Sequence, residues 1–387
     1  MKVAVDARML RAGGIGTYIR EIVGPWSTNA AVSRLQLLGR PREIAAWVDS
    51  LAPSVPIRIT PWEDPPYSVA AQLRWPLSLS SSVRDCDVLF FPHYDAPAFG
   101  QSLPYAVTVH DLTQFLLTHQ FPLAKRLAGR WLLERVARGA GQVLTVSETT
   151  RADLARLGIA SGTAVTVIPN GVGDEYHPLD AHEETVARER WHERLPYLLL
   201  VGWDRPHKNS TFAVQIVHGL RERGREYRLV LAGPGGRMAS VVRREAERLG
   251  VSDLVREVSE VRAELLRELY ALASGILVPS LYEGFGLPVL EGTACGSPVF
   301  ASDRGALPET VGPAEVAGLA RVLPIDSPAR WIEAIERVLS LGVGPDERAR
   351  AIAHARRYSW IEASGNVLSA LREVTERSPK RPLAGSS

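Results

Sequence analysis

The sequence predicts an α/β protein built from two doubly wound domains, and three observations carry that expectation. Short apolar runs rich in Val, Leu and Ile alternate with amphipathic helical stretches from end to end. The runs are continuous rather than alternating, as strands of a parallel sheet covered on both faces require. The strand–helix alternation occurs twice within 387 residues, a length for which two domains are the default.

In the first half the strand candidates are Val3–Ala7, Val88–Pro92, Tyr105–His110 and Gln142–Ser147. In the second half they are Tyr197–Gly202, Arg228–Gly233, Gly275–Pro279 and Pro298–Ser302. Between the halves, Ile168–Trp191 holds an Asn-Gly turn at Asn170–Gly171 and then a charged stretch. The expected domains are residues 1–175 and 176–359. The polar end, residues 377–387, is expected to be disordered. Open parallel sheets bind ligands beyond the carboxyl ends of their strands, so two such domains facing each other would form one cleft.

Composition narrows the classes. Hydrophobic residues make up 45% and charged residues 23%, ordinary for a soluble globular protein. A net charge of +2 is too small to point to nucleic acid as a partner. Cys86 and Cys295 are the only cysteines, which argues against a disulfide framework or a cysteine-rich metal site. No signal-peptide pattern opens the chain, and no run reaches the ~20 apolar residues that span a bilayer. The expected compartment is the cytoplasm, with contact at the inner face of the membrane left open.

Four loops that follow strands could carry chemistry. In Asp6–Ile22, Gly13, Gly14 and Gly16 lie between a strand and a helix, where backbone N–H groups can approach an anion. The spacing is not GxGxxG and no GK[ST] follows, which argues against a dinucleotide fingerprint or a P-loop; a tight surface turn is the alternative. His110 and Asp111 end a strand, with no HExxH or DxD pattern to suggest a protein-held metal. Arg205, His207 and Lys208 precede a helix expected from near Ser210. Cations there can neutralise a diphosphate, or form a solvated basic loop.

The fourth loop lies in "PSLYEGFGLPVLEGTACGSPVFASDRGALPE", Pro279 to Glu309. Glu283 falls in a glycine-rich loop and Glu291 about one turn into a helix expected from near Leu287. The helix N-terminus favours an anion such as phosphate. The carboxylates can accept hydrogen bonds from hydroxyls; the alternative is a cap and a surface charge.

This stretch resembles the retaining glycosyltransferases of glycosyltransferase family 4, whose E-x7-E pattern Glu283 and Glu291 meet. Supporting matches are "GGIGTY" (Gly13–Tyr18), "TVHDL" (Thr108–Leu112), "LTVSETTRADL" (Leu144–Leu154), "VIPNGV" (Val167–Val172) and "PHKN" (Pro206–Asn209). The resemblance implies the GT-B fold, two Rossmann-like domains facing a cleft, with a last helix (about 360–376) that crosses back to the first domain. It implies that Glu291 binds the ribose hydroxyls and Glu283 the donor-sugar hydroxyls. Gly284, Phe285, Gly286 and Leu287 would give backbone contacts to sugar and phosphate, and Val261 would touch the nucleobase. Gly14 and Gly16 would face the donor from the first domain, with His110 lining the sugar pocket. Relatives often carry Arg after the glycine of the second-domain loop; here Trp203 follows Gly202, and Arg205 is the candidate substitute.

The implied chemistry is transfer with retention, without a protein nucleophile, a metal or a cofactor. The nucleotide sugar is a substrate, and Lys208 with Arg205 stabilises the departing diphosphate. The "GGIG–Y" loop together with "HDL" resembles members that use GDP-mannose or a related donor. Phe121–Gly141 interleaves Lys125, Arg126, Arg130, Arg135 and Arg138 with Leu and Trp131. Such a segment can rest on an anionic membrane beside a lipid-linked acceptor, or simply pack with a solvated basic face. Alternatives on the same architecture are a sugar phosphorylase, an epimerase, or a catalytically silent scaffold in polysaccharide assembly.

Overall fold

The structure is a computed structural model and describes residues 1–193, 195–313 and 319–377. It divides into two compact units. One runs from Met1 to Asn170 and regains the chain at Trp360; the other is Gly171–Ser359. The division falls inside the Asn-Gly turn, not after residue 175. The tail expected to be disordered lies outside the described residues from 378 on.

The first unit is a parallel sheet of β1 (Lys2–Asp6), β2 (Arg34–Gly39), β3 (Ile57–Pro61), β4 (Val88–Phe91), β5 (Tyr105–Val109), β6 (Gln142–Thr145) and β7 (Val165–Val167). Their order is β3-β2-β1-β4-β5-β6-β7, and every ladder is parallel. β4, β5 and β6 are buried along their whole length, as their apolar runs imply. The helix Gly13–Val23 turns Tyr18, Ile19, Ile22 and Val23 inward at helical spacing.

The last helix, Trp360–Arg377, belongs to this first unit. Its inward stripe includes Trp360, Ala363, Val367, Leu371 and Val374. Two polar bonds fix it: Ser364 Oγ donates to Ile22 O at 2.7 Å, and Trp26 Nε1 donates to Ser364 O at 3.3 Å.

The second unit holds β8 (Tyr197–Val201), β9 (Arg228–Ala232), β10 (Val255–Val258), β11 (Gly275–Val278), β12 (Val299–Ser302) and β13 (Ala320–Leu323). They form one parallel sheet ordered β10-β9-β8-β11-β12-β13. In each sheet the order reverses at one place, between β1 and β4 and between β8 and β11. Such reversals open a crevice at the carboxyl ends of the two flanking strands, where ligands bind in open α/β sheets.

Candidate functional site

In the second unit, the loops that follow β8 and β11 stand side by side at the reversal. Lys208 ends a 3-10 turn, Pro206–Lys208, which Asn209 closes in the left-handed conformation with φ of 54°. Its Nζ donates to Glu283 Oε1 at 2.7 Å, and Ser280 Oγ donates to the same oxygen at 2.6 Å. Leu281 N–H donates to His207 O at 2.7 Å, so the loops are joined through their backbones as well. Lys208, Ser280, Glu283 and Pro288 line one small recess. Burial pushes the Glu283 carboxyl up, but Lys208, His207 and Ser280 outweigh it and hold the group below its ordinary range. Glu283 is therefore ionised at neutral pH, with Oε2 still able to accept a hydroxyl.

The acid is held by what surrounds its backbone. Gly305 has φ of +58°, and a side chain there would place Cβ 2.3 Å from Glu283 O. Ala306 N–H donates to that same carbonyl at 2.9 Å. Ser302 Oγ donates to Ser280 O at 2.6 Å, and Thr310 Oγ1 donates to Phe285 O at 2.5 Å. Gly286, at φ of +101°, turns the chain into the helix Leu287–Ala294. Its N-cap residue, Gly286, has no side chain; Pro288 has no N–H and Val289 N–H donates to Gly286 O at 2.9 Å, which leaves Leu287 N–H and the positive end of the helix dipole at the loop. Gly284 and Phe285 complete this turn; the Phe285 ring is buried against Tyr358.

Glu291 lies within the helix, buried, where Tyr270 O–H donates to its Oε2 at 2.6 Å. Burial pushes its carboxyl up to about 7; the Tyr270 bond opposes that rise, and Glu175 adds to it. The next residue, Gly292, is a packing requirement, since a Cβ there would come within 2.8 Å of Ile276 Cγ1. Val261 is half-buried ahead of the helix Ala263–Leu272 that carries Tyr270.

One expectation for this unit is corrected. Arg205 does not join Lys208: its side chain is 69% exposed and pairs with neighbouring Asp204 at 3.1 Å. At the position where relatives often carry Arg, Trp203 is fully buried, with Nε1 donating to Gly233 O at 2.9 Å. The indole fills core volume, so this position has left the binding surface.

In the first unit, His110 follows β5. Its Nε2 lies 2.7 Å from Pro92 O. A carbonyl only accepts, so Nε2 carries the proton and Nδ1 keeps its lone pair. Burial pushes the imidazole down, against the Pro92 bond and Asp111, so the ring is neutral. Tyr18 meets it edge-on at 4.6 Å and hydrogen-bonds Thr108 Oγ1 at 3.0 Å.

The glycines read as a loop form the first turn of the Gly13–Val23 helix instead. Gly14 is exposed there. Gly16 is not available to an anion: its N–H donates to Ala12 O at 3.1 Å, and a Cβ would lie 2.4 Å from Leu10 O. Its missing side chain makes room for the loop to fold back.

Sequence reasoning missed several groups here. His93 follows β4, stacks on Tyr94 at 4.5 Å, and takes the Asp95 N–H on Nδ1 at 3.1 Å. Arg8 grips Asp6 through Nε and Nη2, reaches Asp95 O at 2.8 Å, and lies 3.6 Å above the Trp62 ring. The strand-end rule that singled out His110 would have found His93 and Asp6. Nothing in spacing marks Tyr270 as the partner of Glu291. Among the described residues, no group of three or more His, Cys, Asp or Glu side chains could hold a metal ion.

Comparison with known proteins agrees with this architecture. Residues 12–176 match the family model described as Glycosyltransferase Family 4, and residues 182–358 match Glycosyl transferases group 1. The O-antigen chain mannosyltransferase B of Escherichia coli is 29% identical over 284 residues, covering 72% of this chain and 74% of that protein. The MMP alpha-(1->4)-mannosyltransferase of Mycolicibacterium hassiacum is 31% identical, covering 65% and 60%. A D-inositol 3-phosphate glycosyltransferase from Xylanimonas cellulosilytica is 32% identical, covering 65% and 62%. Among solved structures, sucrose-phosphate synthase from Thermosynechococcus elongatus superimposes with a TM-score of 0.78 at 19% identity, covering 98% of this chain and all of that one. The Anabaena protein HepE in complex with UDP and glucose gives 0.76 at 15%, covering 96% and all of it. The chain therefore belongs to glycosyltransferase family 4 and is a nucleotide-sugar glycosyltransferase of the GT-B fold.

Proposed function

We propose that the protein transfers mannose from GDP-mannose, with retention at the anomeric carbon, to a hydroxyl of a glycan, lipid-linked or small-molecule acceptor. The observation that carries this reading is the Lys208–Glu283 pair beside an uncapped helix N-terminus, where the strand order reverses. The mannosyl choice is supported by the two relatives described as mannosyltransferases.

In this reading the diphosphate takes Lys208 and the first turn of Leu287–Ala294. Glu283 receives the sugar hydroxyls through Oε2, and Glu291 receives the ribose diol. Val261 meets the base through its backbone. His110, held as the Nε2–H tautomer, offers Nδ1 to a donor-sugar hydroxyl, and Gly14 adds a backbone N–H. The bond between the anomeric carbon and the diphosphate oxygen breaks, and its electron pair stays on the diphosphate. The acceptor oxygen forms its bond to the same face of that carbon, and its proton passes to the departing phosphate oxygen. Lys208 stabilises charge that grows as the bond breaks, so its effect is larger in the transition state than in the ground state. Glu283 Oε1 already accepts two bonds, which favours its role as an orienting group over that of a nucleophile. No metal or cofactor takes part. This reading places the enzyme in the cytoplasm, with contact at the inner face of the membrane where the acceptor is lipid-linked.

The test is a thermal-shift screen against GDP-, UDP-, dTDP- and ADP-sugars, followed by anomeric analysis of the product. GDP-mannose should raise the melting temperature most, because a ligand at one hundred times its dissociation constant adds about 2.7 kcal/mol. The product should be α-linked. A β-linked product contradicts retention, and a preference for a UDP-sugar contradicts the donor.

A further inference from the structure

The helix Leu123–Gly139 has two apolar faces, and only one is used in the core. Leu132, Leu133, Val136 and Ala137 are buried. Leu123, Leu127 and Trp131 are 63%, 59% and 54% exposed. An α-helix turns about 100° per residue, so these three fall in one stripe along successive turns. Phe99, 54% exposed, extends the stripe sideways: its ring lies 6.0 Å from that of Trp131. Single exposed apolar residues are ordinary; four large ones in register form a patch that calls for a partner.

The charges around the patch are predominantly basic. By the same helical geometry, Arg126 and Arg130 run along one edge of the stripe and Arg135 along the other. The Arg135 guanidinium sits 4.9 Å from the Phe99 ring centre and its Nε donates to Ala98 O at 3.2 Å. Lys125 and Arg138 add to the helix, and Glu134 is its one acidic residue, paired with Arg130. A flat apolar stripe between two basic edges, with an indole at its border, matches the layering of an anionic bilayer surface. Acyl chains take the stripe, headgroup phosphates take the arginines, and Trp131 sits at the interface.

We propose that Leu123, Leu127, Trp131 and Phe99 dock on an anionic phospholipid membrane, with Arg126, Arg130 and Arg135 at the headgroups. The proposal gives the membrane contact of the previous subsection its surface. It rests on that reading only in placing a lipid-linked acceptor nearby; the docking itself does not depend on the donor. The patch is not suited to an acidic soluble protein alone, since its centre is apolar and continuous.

The experiment is co-sedimentation of the full chain with vesicles of phosphatidylglycerol or of phosphatidylcholine alone. Sedimentation velocity without vesicles and donor turnover with a soluble acceptor are measured in parallel. The protein should bind phosphatidylglycerol vesicles, and raised salt should weaken the binding. Leu123→Ser with Leu127→Ser should lower vesicle affinity by at least about tenfold, since the buried apolar surface supplies the insertion. Arg126→Gln with Arg130→Gln should remove the preference for anionic lipid. The Leu pair is exposed, so its melting temperature and soluble turnover should stay at the wild-type level; Arg126 is half-buried and Arg130 bonds Glu134 and Leu157 O, so the Arg pair is compared below its own measured melting temperature. Equal binding of wild type and the Leu pair, or no binding by either, overturns the proposal. So does a wild-type dimer that the Leu pair dissolves while vesicle binding is absent, because the occupant is then a second copy. Absence of turnover with GDP-mannose alongside intact vesicle binding contradicts the proposed reaction and leaves the membrane surface standing.

Discussion

Glu291 is the residue whose protonation ties structure to binding most closely. Its carboxyl is raised from 4.5 to about 7 by burial. Between those values the folded state holds a proton that the unfolded chain has lost, so this group's contribution to stability falls as pH rises through 7. A bound ribose diol donates hydrogen bonds that favour the ionised form, so nucleotide binding should expel a proton near neutral pH. Calorimetry of GDP in two buffers of different ionisation enthalpy should show more proton release for wild type than for Glu291→Gln. That difference isolates the carboxyl from the phosphate's own titration, and equal release would remove Glu291 from the ribose role. Trp203 gives a second test at this scale. Restoring the arginine common in relatives should not restore a phosphate contact, because the position is fully buried against Gly235. Trp203→Arg should instead destabilise the fold by more than about 3 kcal/mol, the cost of a large-to-charged core change. Urea unfolding measures it.

At the scale of elements, the strands that were legible in the sequence are those in the middle of the sheets. β1, β4, β5, β6, β8, β9, β11 and β12 each coincide with an apolar run. The four sheet edges, β3, β7, β10 and β13, gave no such run. Their residues are half-exposed, as in "IRITP" and "VREV", because an edge strand needs cover on fewer sides. β2 was missed for another reason. Gln36 interrupts its run and is buried only because it donates to Thr60 Oγ1 and Ser82 O. The site divides along the same line. Lys208 and Glu283 were legible because strand-end loops point to them, whereas Arg205 and Gly16 have the right residue type but the wrong orientation. Which way such a group faces depends on partners that residue type does not reveal, such as the Leu10 carbonyl against Gly16 or the Asp204 carboxylate on Arg205. The loop carrying Glu283 shows how such contacts act. Gly305→Ala should cost about 1–3 kcal/mol through its left-handed backbone, and more through contact with the Glu283 carbonyl. A thermal melt checks the stability, and calorimetry should show weaker donor binding as Glu283 is displaced.

For the whole molecule, the two family models and the two reversed parallel sheets give one account, a nucleotide-sugar transferase; in the proposed reading its diphosphate is met by fixed cationic and backbone groups. Removing free divalent ions with EDTA should therefore leave transfer largely intact. Complete loss on chelation, restored by magnesium or manganese, would contradict it. The most direct measurement is turnover at saturating donor for Lys208→Ala and Arg205→Ala, with melts alongside. A preorganised donor to a developing negative charge is worth roughly 100- to 1000-fold in turnover, so Lys208→Ala should lose about that much while remaining folded. Arg205→Ala, whose exposed side chain pairs, among the described residues, with half-exposed Asp204, should stay near wild type. Near-normal turnover in Lys208→Ala would contradict the account, because the loop after β8 would then not hold the diphosphate.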